Sequence, residues 1–547
     1  MNKTSFSISG QVVLLAERKI VSSTIKVSNG IIASIEADPH APKHFILPGF
    51  VDAHIHIESS MLIPSQFAQL AVKHGSVATV SDPHEIANVL GIEGINFMLN
   101  DAEKVPFKFY FGAPSCVPAT DFETAGATLG PDAIESLLKR KEISYLAEMM
   151  NYPGVLNKDP QVMEKLAIAK RLNKKIDGHA PGLRGNDIKN YIGQGISSDH
   201  ECTTYEEAKE KIAYGMKILI REGSAAKNFD ALIELLSEYP ESIMFCSDDK
   251  HPHDLIKGHI NKLVKRSLEK GMDLFDTLNA AITNPIKHYG LEVGQLNIGD
   301  PADFIIVNDL TNFDVLETYI NGEKVFGDHR CLFESFNSET PNNFNRVKIK
   351  KDFIKLSGPS GVYRVIKVLD GQLLTHKTEH PLFCTPEGEI IPDIEADILK
   401  IVVLSRYDQS KAAIALIEGF GLKKGAIASS VAHDSHNIIA VGCNDEDLTS
   451  AINSIIENKG GIALSDGKLN ECISLPIAGL MTNISGEKLA IDYERLHNLS
   501  KSLGSTLYDP FMMLSFCALL VIPELKLSDK GLFDGNTFNF IGLLKND

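Results

Sequence analysis

Short apolar runs alternate with stretches of helical periodicity through residues 47–301. Eight of the apolar runs end in polar or charged residues, and they are FVDAHIHI, VATVSDPHE, KFYFGAPS, SYLAEMMN, KKIDGHAPG, GISSDHE, MKILIREGS and SIMFCSDD. Between the runs, apolar residues recur at helical spacing around residues 64–74, 85–103, 131–141, 161–173, 205–213, 229–238 and 255–270. The helical link after Gly182, between KKIDGHAPG and GISSDHE, is short. The pattern therefore predicts eight strands, each followed by a helix or a short link.

The number and spacing of these units predict the architecture. Eight strand–helix units over about 260 residues match the size of a TIM barrel, so residues 47–301 are predicted to form a (β/α)8 TIM-like barrel of the α/β class. A doubly wound open sheet is the alternative. No G-x-G-x-x-G follows an early strand to support a dinucleotide site of that kind, which favours the barrel.

The segments on either side of the barrel have the pattern of short strands. Residues 1–46 contain GQVVLL and STIKVSNGIIASIEA, in which Asn29 and Gly30 form a hairpin signal between alternating runs. The similar stretches ADFIIVND and VLETYINGEKVFG follow the barrel. We expect residues 1–46 and 302–345 to form one small β domain. Residues 346–547 are predicted to be a separate C-terminal α/β domain, reached through the polar linker FESFNSETPNNFNR.

Charge and composition narrow the class of partner. The 547 residues carry a formal net charge of −17, which argues against nucleic acids and membranes as partners because both call for basic patches. The N-terminal MNKTSFSISG lacks the apolar core of a signal peptide, and the longest apolar run, residues 511–523, is too short for a membrane span. Eight scattered cysteines without a C-x-x-C pair indicate a reducing cytoplasm and exclude the small zinc nucleobase deaminases. We therefore expect a cytoplasmic protein that binds a small neutral or cationic ligand.

Potential metal ligands gather where the predicted strands end. His54 and His56 alternate on the first strand and therefore share a face, and imidazole is a common metal ligand. A lone His-x-His pair has an ordinary alternative, two solvated histidines at a strand end. The other strand ends add further candidates, which are Asp82, His84, Glu85, Glu148, His179, His200, Glu201, Asp248 and Asp249. Catalytic residues of TIM barrels lie at the C-terminal strand ends, so these side chains are predicted to converge on one site.

Several motifs resemble those of a known family. The barrel contains LPGFVDAHIHIESSML, VSDPHEIANVLG, LAEMMNYPGV, DGHAPGL, GISSDHE and CSDDKHP, and the later part contains SVAHDSHNI, LPIAGLMT and SDKGL. On these motifs the chain resembles the amidohydrolase superfamily and, within it, the bacterial adenine deaminase family. The resemblance spans nearly the whole chain. It implies a metal-dependent hydrolase that converts adenine and water to hypoxanthine and ammonia in purine salvage.

The resemblance also implies a binuclear metal centre. The implied ligands are His54, His56 and Asp248 for one ion, His179 and His200 for the other, and Glu148 for both, where many superfamily members use a carboxylated lysine. Imidazoles and carboxylates suit several divalent ions, and we expect Mn(II) or Fe(II), with Zn(II) as the alternative. Two such ions make hydroxide available near neutral pH for attack on C6 of adenine. Asp248 is expected to act as general base and then as general acid.

Other residues have both a structural and a functional interpretation. The segment from Ser81 to Glu85 either caps and begins a helix or contacts the substrate and carries protons. Ser81 and Asp82 are therefore candidate substrate contacts, and Glu85 is the second catalytic candidate. Arg184 is either a purine contact or a solvated arginine. The segment 433–436 is either a hairpin turn or a loop that the C-terminal domain places over the barrel mouth.

Two rival functions stay open on the sequence alone. The barrel ligands also suit another amidohydrolase reaction, such as the hydrolysis of a cyclic amide, because one fold and site support many substrates. A non-catalytic scaffold built on a decayed barrel is the second rival, which the presence of every ligand type disfavours. The substrate is expected to be a small molecule, and the chain is expected to form a homo-oligomer.

Overall fold

The computed structural model describes residues 5–334 and 338–545. Residues 1–4, which begin the N-terminal segment, and residues 335–337 of the predicted linker lie outside the described residues. Within the described ranges, no helix combines the length and the apolar character needed to cross a lipid bilayer.

The two flanks of the barrel meet in one β layer. Its eight strands are Phe6–Leu14, Lys19–Ser28, Ile31–Ala37, Phe45–Pro48, Phe304–Val307, Val315–Ile320, Glu323–Gly327 and Arg330–Cys331. Phe45–Pro48 pairs antiparallel with Phe304–Val307 and so joins the two flanks. At the predicted hairpin, Asn29 and Gly30 have φ of 55° and 81°, which suits a tight turn between antiparallel strands. The predictions of this hairpin and of a β layer shared by both flanks are confirmed.

The middle of the chain folds as a barrel of parallel strands. The eight barrel strands are Phe50–His56, Ser76–Ser81, Lys108–Ala113, Ile143–Met149, Lys175–Gly178, Ser198–Asp199, Lys217–Arg221 and Ile243–Cys246. The first five belong to one hydrogen-bonded sheet and the last three to another, and every pairing among them is parallel. The short strand Asp248–Asp249 pairs with the first strand and so brings the end of the barrel back to its beginning. The prediction of a TIM-like barrel is confirmed.

Helices follow the barrel strands, with breaks that the sequence periodicity does not show. The α-helices are Pro64–Ala71, His84–Leu90, Ile92–Ala102, Pro131–Leu138, Tyr152–Leu156, Pro160–Arg171, Gly185–Ile192, Tyr205–Ala213, Phe229–Leu232, Leu235–Glu238, Pro252–Leu255, Ile260–Glu269, Leu274–Leu278 and Asn284–Tyr289. Shorter turns are the 3-10 helices Ile57–Ser60, Val72–His74 and Pro240–Ser242 and the π-helix Asn279–Thr283. The predicted helix over 85–103 is two helices, because Gly91 has a φ of 61° and ends the first one. The predicted helix over 255–270 is also divided, with Gly258 in the break.

The C-terminal part is built on a second eight-stranded sheet. Its strands are Gly361–Val368, Thr375–Leu382, Leu399–Leu404, Ala413–Glu418, Ala426–Ser429, Ile438–Gly442, Gly461–Ser465 and Asn470–Ser474. Gly361–Val368 and Ala413–Glu418 pair in parallel, and the other pairings are antiparallel. The helices are Lys351–Ile354, Asp445–Glu457, Gly486–Ser502 and Pro510–Phe516, and a small sheet contains Leu525–Ser528, Gly531–Asp534 and Asn539–Phe540.

The C-terminal part packs directly on the barrel. One continuous apolar core includes side chains of both, and the backbone N–H of Thr482 donates to the carbonyl of Met61 at 2.9 Å. The segment 433–436 lies in the turn between two neighbouring antiparallel strands, Ala426–Ser429 and Ile438–Gly442. This packing brings that turn to the C-terminal ends of the barrel strands.

Candidate metal centre and active site

Six side chains meet at the C-terminal ends of the barrel strands. This six-residue cluster contains His54, His56, Glu148, His179, His200 and Asp248. His54 and His56 share one face of the first strand, while His179 and His200 directly follow the fifth and sixth strands. The cluster is buried, since even its most accessible side chain, that of His179, is only 14% exposed. The structure therefore brings together all six residues that the family resemblance implies as ligands.

Glu148 lies between two pairs of histidines. Its Oε1 is 3.1 Å from Nε2 of His56 and 3.8 Å from Nε2 of His54. Its Oε2 is 2.7 Å from Nδ1 of His179 and 3.3 Å from Nε2 of His200. Each carboxylate oxygen thus faces a different pair, which is the arrangement that a carboxylate shared between two cations requires.

Asp248 lies between the first histidine pair and an arginine. Its Oδ1 is 3.5 Å from Nε2 of His54 and 3.2 Å from Nε2 of His56. Its Oδ2 accepts a hydrogen bond at 2.8 Å from Nη1 of Arg221, which also donates to Glu201. The φ of Asp248 is 53°, a left-handed conformation that costs energy outside glycine and is concentrated at functional sites. Arg221 therefore fixes one carboxylate oxygen of Asp248 and leaves the other facing the histidines.

The donor atoms of the cluster fit divalent metal ions. Nδ1 of His56 donates to the carbonyl oxygen of Asp82 at 3.1 Å, since a carbonyl can only accept, so Nε2 is the ring nitrogen that a metal ion would bind. The Nε2 atoms of His54 and His56 lie 3.2 Å apart, and both face carboxylate oxygens. Imidazole nitrogens with carboxylate oxygens, and no thiolate in the set, suit ions such as Mn(II), Fe(II) and Zn(II).

The two carboxyl groups of the cluster are ionised. Burial acts to raise the pKa of Glu148, but the charges and hydrogen bonds of His179 and His200 outweigh burial and hold that pKa well below its ordinary value. Burial also opposes ionisation of Asp248, and the positive charge of Arg221 is the main cause that keeps its pKa well below the ordinary value. Both side chains are therefore anionic oxygen donors near neutral pH.

Glu85 lies beside the cluster and binds the C-terminal domain. It is the second residue of the helix His84–Leu90. Its Oε1 accepts a hydrogen bond from Nδ1 of His433, and its Oε2 accepts one from Nε2 of His436. All three side chains are buried. The segment 433–436 is thus a hairpin turn that also covers the barrel mouth, so the two sequence interpretations of it are compatible.

The segment before this helix supports the cluster. Ser81 ends the second barrel strand, and its hydroxyl forms a hydrogen bond with the hydroxyl of Thr79 at 2.9 Å. Asp82 accepts a hydrogen bond at 3.1 Å from Nδ1 of His84, which also lies 3.5 Å from Oε1 of Glu148. The helix begins without a side-chain cap. The segment begins a helix with Glu85 in its first turn, as the structural interpretation expects, but the expected side-chain cap is absent because the Asp82 carboxylate is directed to His84 instead.

A cavity at the barrel mouth, the mouth cavity, adjoins the cluster. The barrel contributes His56, His84, Glu85, Glu148, Met150, His179, His200, Glu201, Arg221, Asp248 and Asp249 to its lining. The C-terminal domain contributes Leu373, His433, Asp434, Phe516, Leu519 and Ile522. The cavity therefore has a charged floor and a cover that is largely apolar.

The candidate purine contact Arg184 lies away from this cavity. Its side chain is 49% exposed, and its Nε donates to Oε2 of Glu210 at 2.7 Å. In the part of the chain that the structure describes, Arg184, Ser81 and Asp82 are not among the residues that line the mouth cavity. Their contact with a substrate stays a prediction.

Two further residues complete the charged floor, and they are Arg221, to which the sequence prediction gives no role, and Glu201, one of the candidates at the strand ends. Arg221 ends the seventh barrel strand, and Glu201 follows the sixth. Oε1 of Glu201 lies 3.6 Å from Nε2 of His200 and accepts a hydrogen bond from Arg221. The signal for Arg221 is a charged residue at the end of the apolar run MKILI, the position where barrel enzymes place catalytic groups.

The fold and the site define the class of protein. The sequence profile of the Amidohydrolase family matches residues 45–325, and that of the Adenine deaminase C-terminal domain matches residues 372–539. A solved structure of β-aspartyl dipeptidase from Fervidobacterium islandicum AW-1 aligns with 61% of this chain and 100% of its own, at a TM-score of 0.46 and 15% identity. The barrel with its buried histidines and carboxylates is that of an amidohydrolase, a family that implies a divalent metal.

Full-length relatives identify the family within this class. The adenine deaminase of Sulfurovum sp. (strain NBC37-1) is 56% identical over 527 residues, which cover 96% of this chain and 97% of the relative. The adenine deaminase of Methanosarcina barkeri (strain Fusaro) is 53% identical over 537 residues, with the same coverage of both chains. The chain belongs to the adenine deaminase family.

Proposed function

We propose that the chain deaminates adenine at the six-residue cluster and yields hypoxanthine and ammonia for purine salvage. The proposed ligands are His54, His56 and Asp248 for one divalent ion, His179 and His200 for the other, and Glu148 for both. The observation that carries this assignment is the position of Glu148, because each of its oxygens faces a different histidine pair. Identity of 56% and 53% with full-length adenine deaminases supports the substrate.

In this proposal, Asp248 carries the proton from the attacking water to the departing amine. Bound divalent ions supply Lewis acidity that makes hydrolysis feasible near neutral pH. Arg221 holds Oδ2 of Asp248 at 2.8 Å, so Oδ1 stays directed to the histidines. Oδ1 then accepts a proton from the attacking water and passes it to the departing amine, as general base and then as general acid.

Glu85 is the proposed second proton carrier. The conversion of adenine to hypoxanthine leaves a new carbonyl at C6 and a proton on the purine ring, so the ring needs a proton transfer of its own. Glu85 lines the mouth cavity, on the side covered by the C-terminal domain. Ser81 and Asp82 are proposed as substrate contacts, and Asp82 already accepts a hydrogen bond from His84, which lines the mouth cavity. A direct contact from Arg184 would require its segment to move.

The cover of the mouth cavity suits a planar base. Phe516, Leu519 and Ile522 present apolar surface, and Met150 adds an apolar group from the barrel. A flat aromatic ligand gains both from burial of its faces and from contact with an aromatic ring. The charged floor and the apolar cover together support free adenine as the substrate.

The proposal extends to metal, partners and domains. Mn(II) or Fe(II) is proposed, with Zn(II) as the alternative, because all three accept nitrogen and oxygen donors. The net charge of −17 supports a free base, without a nucleic acid or membrane partner. All eight cysteines lie in the described ranges and none is paired in a disulfide, which supports a cytoplasmic location. A homo-oligomer of chains divided into 1–46 plus 302–345, 47–301 and 346–547 completes the proposal.

The test is a direct assay of the purified protein. Protein stripped by a chelator should be inactive, and reconstitution with Mn(II) or Fe(II) should restore release of ammonia from adenine. The ultraviolet spectrum should shift to that of hypoxanthine in the same samples. If metal-replete protein hydrolyses a cyclic amide and leaves adenine untouched, the adenine assignment is wrong while the family assignment stands.

A further inference from the structure

Both oxygens of Glu85 are bound by imidazoles of the C-terminal domain. Nδ1 of His433 donates to Oε1, and Nε2 of His436 donates to Oε2. None of the three side chains is more than 4% exposed. The two bonds join residues that are 348 and 351 positions apart in the chain. The carboxylate of a barrel residue is therefore oriented by another domain.

The direction of the hydrogen bond between His436 and Glu85 follows from the contact of the other ring nitrogen of His436. Nδ1 of His436 accepts a hydrogen bond at 3.3 Å from the backbone N–H of Ala432, so this nitrogen carries no proton. The ring proton is then on Nε2, the atom that faces Glu85. The ring of His433 is fixed differently, by stacking on Phe516 with centroids 4.5 Å apart and planes at 18°.

The turn that carries both histidines is anchored within its own domain. Arg406 is fully buried, and its Nε donates to the backbone carbonyl of His436 at 2.7 Å. The hydroxyl of Tyr407 donates to the backbone carbonyl of Ser435 at 2.6 Å. Because the turn is held by these contacts, its imidazoles impose a position on Glu85 and do not simply follow it.

The surroundings of Glu85 explain why it needs such donors. Glu148, Asp248 and Asp434 line the same cavity. Like charges repel strongly in a site shielded from water, and the buried cation Arg221 is already paired with Asp248. The barrel's own His84 places Nε2 3.5 Å from Oε1 of Glu85, and the closer N–H donors that hold the carboxylate among these anions are those of His433 and His436.

We propose that His433 and His436 are positioning residues of the deamination, which hold the Glu85 carboxylate where it reaches a base in the mouth cavity. The C-terminal domain thereby completes an active site whose other charged groups come mainly from the barrel. This inference rests on the proposed role of Glu85 as the second proton carrier.

Paired substitutions separate positioning from packing. His433→Asn keeps an N–H donor at the position of Nδ1 but loses the ring, whereas His433→Phe keeps a ring to stack on Phe516 and loses the donor. In the same way, His436→Gln keeps a donor at the position of Nε2, and His436→Leu does not. Positioning predicts that kcat for adenine falls about 100-fold in the variants without a donor, since a misplacement of about 1 Å costs that much. His433→Asn and His436→Gln should recover most of that loss.

The readouts and the control exclude trivial causes. The fall should be in kcat and kcat/KM alike, because the contact acts on a group that works in the transition state. Metal content of the same samples should equal that of wild type. His376→Phe, at a C-terminal histidine whose side chain is 49% exposed, should leave kcat unchanged. If His433→Phe retains more activity than His433→Asn, the ring packing matters and the proposal is wrong.

A double-mutant cycle with Glu85→Gln provides the second test. If the histidines act through Glu85, His433→Phe should lower kcat in wild type and have almost no further effect in the Glu85→Gln background. Equal losses in both backgrounds would overturn the proposal. An active wild type with unchanged kcat in His433→Phe and His436→Leu would also overturn it. Failure of the proposed function looks different, because the wild-type protein would then leave adenine unchanged.

Discussion

The substitution Asp248→Asn removes the negative charge of the side chain and keeps its shape. The two oxygens of the Asp248 carboxylate have different partners. Oδ2 accepts a hydrogen bond from Arg221 at 2.8 Å, and Oδ1 lies 3.2 Å from Nε2 of His56. An arginine can only donate, so the amide oxygen of Asp248→Asn should turn to Arg221 and the amide NH2 to the histidines. The variant then lacks both the proton acceptor and one ligand oxygen.

These two losses set the expected magnitude. A general base contributes about 10²–10⁴-fold to the rate, so kcat for adenine should fall at least about 100-fold. That fall corresponds to about 2.7 kcal/mol in activation free energy. Metal content after dialysis should also fall, because the amide NH2 then stands where the ligand oxygen was. In the double variant Asp248→Asn/Arg221→Met the amide is free to turn its oxygen back, so metal content should recover while kcat stays low.

The assay measures turnover and metal on the same dialysed samples, by absorbance and by elemental analysis. Asp230→Asn is the matched control, because the Asp230 side chain is 65% exposed and pairs with Arg266 on the surface. Near wild-type turnover in metal-replete Asp248→Asn would refute the proton role and leave Glu85 as the next candidate. Recovery of kcat together with metal in the double variant would limit Asp248 to a ligand role.

Three further results are expected. Glu148→Gln should lose both bound metal and activity, because each proposed ion site loses the shared anionic ligand. Elemental analysis against the exposed control Glu446→Gln checks this, and a wild-type metal content in Glu148→Gln would contradict the bridge. Burial, more than the charge of Asp434, raises the pKa of Glu123 to about 8. The folded state then keeps a proton that the unfolded chain releases near pH 4.3, so the free energy of unfolding should fall as pH rises from about 5 to 8. Glu123→Gln should flatten that fall in urea titrations, and an unchanged slope would contradict the shift. Adenosine should react at least about tenfold more slowly than adenine, because the covered cavity leaves little room for a ribose, and equal values of kcat/KM would contradict a closed mouth.

The barrel and the convergence of side chains at its mouth follow from the sequence for a simple reason. The strands Phe50–His56 and Ser76–Ser81 are buried at every position, as parallel strands covered on both faces are, and they are visible as apolar runs that end in polar residues. The C-terminal ends of all barrel strands share one rim. Knowledge of the strand ends is therefore enough to predict which side chains converge, even without knowledge of their distances.

The pairings inside the site do not follow from the sequence. Periodicity reports which face a residue occupies, but the bond between Arg221 and Asp248 depends on the stagger of neighbouring strands. The bonds from Glu85 to the C-terminal histidines depend on how two domains pack. The helix break at Gly91 does not follow from the sequence either, because a glycine inside a helix costs only about 1 kcal/mol and does not by itself reveal a positive φ.

The charged floor and the apolar cover of the mouth cavity have different roles, the floor in the reaction and the cover in contact with the substrate. A charged floor of histidines and carboxylates suits hydrolysis of amides and of cyclic amidines alike, so it does not select a purine. The cover is held in place by Lys526, whose Nζ donates to the carbonyl of Leu373 at 2.8 Å and to that of Phe516 at 3.0 Å. Leu373 and Phe516 both line the cavity, where an apolar and aromatic surface favours a flat base. The domain that supplies none of the proposed metal ligands therefore supplies most of the apolar surface that a flat base in the cavity would contact.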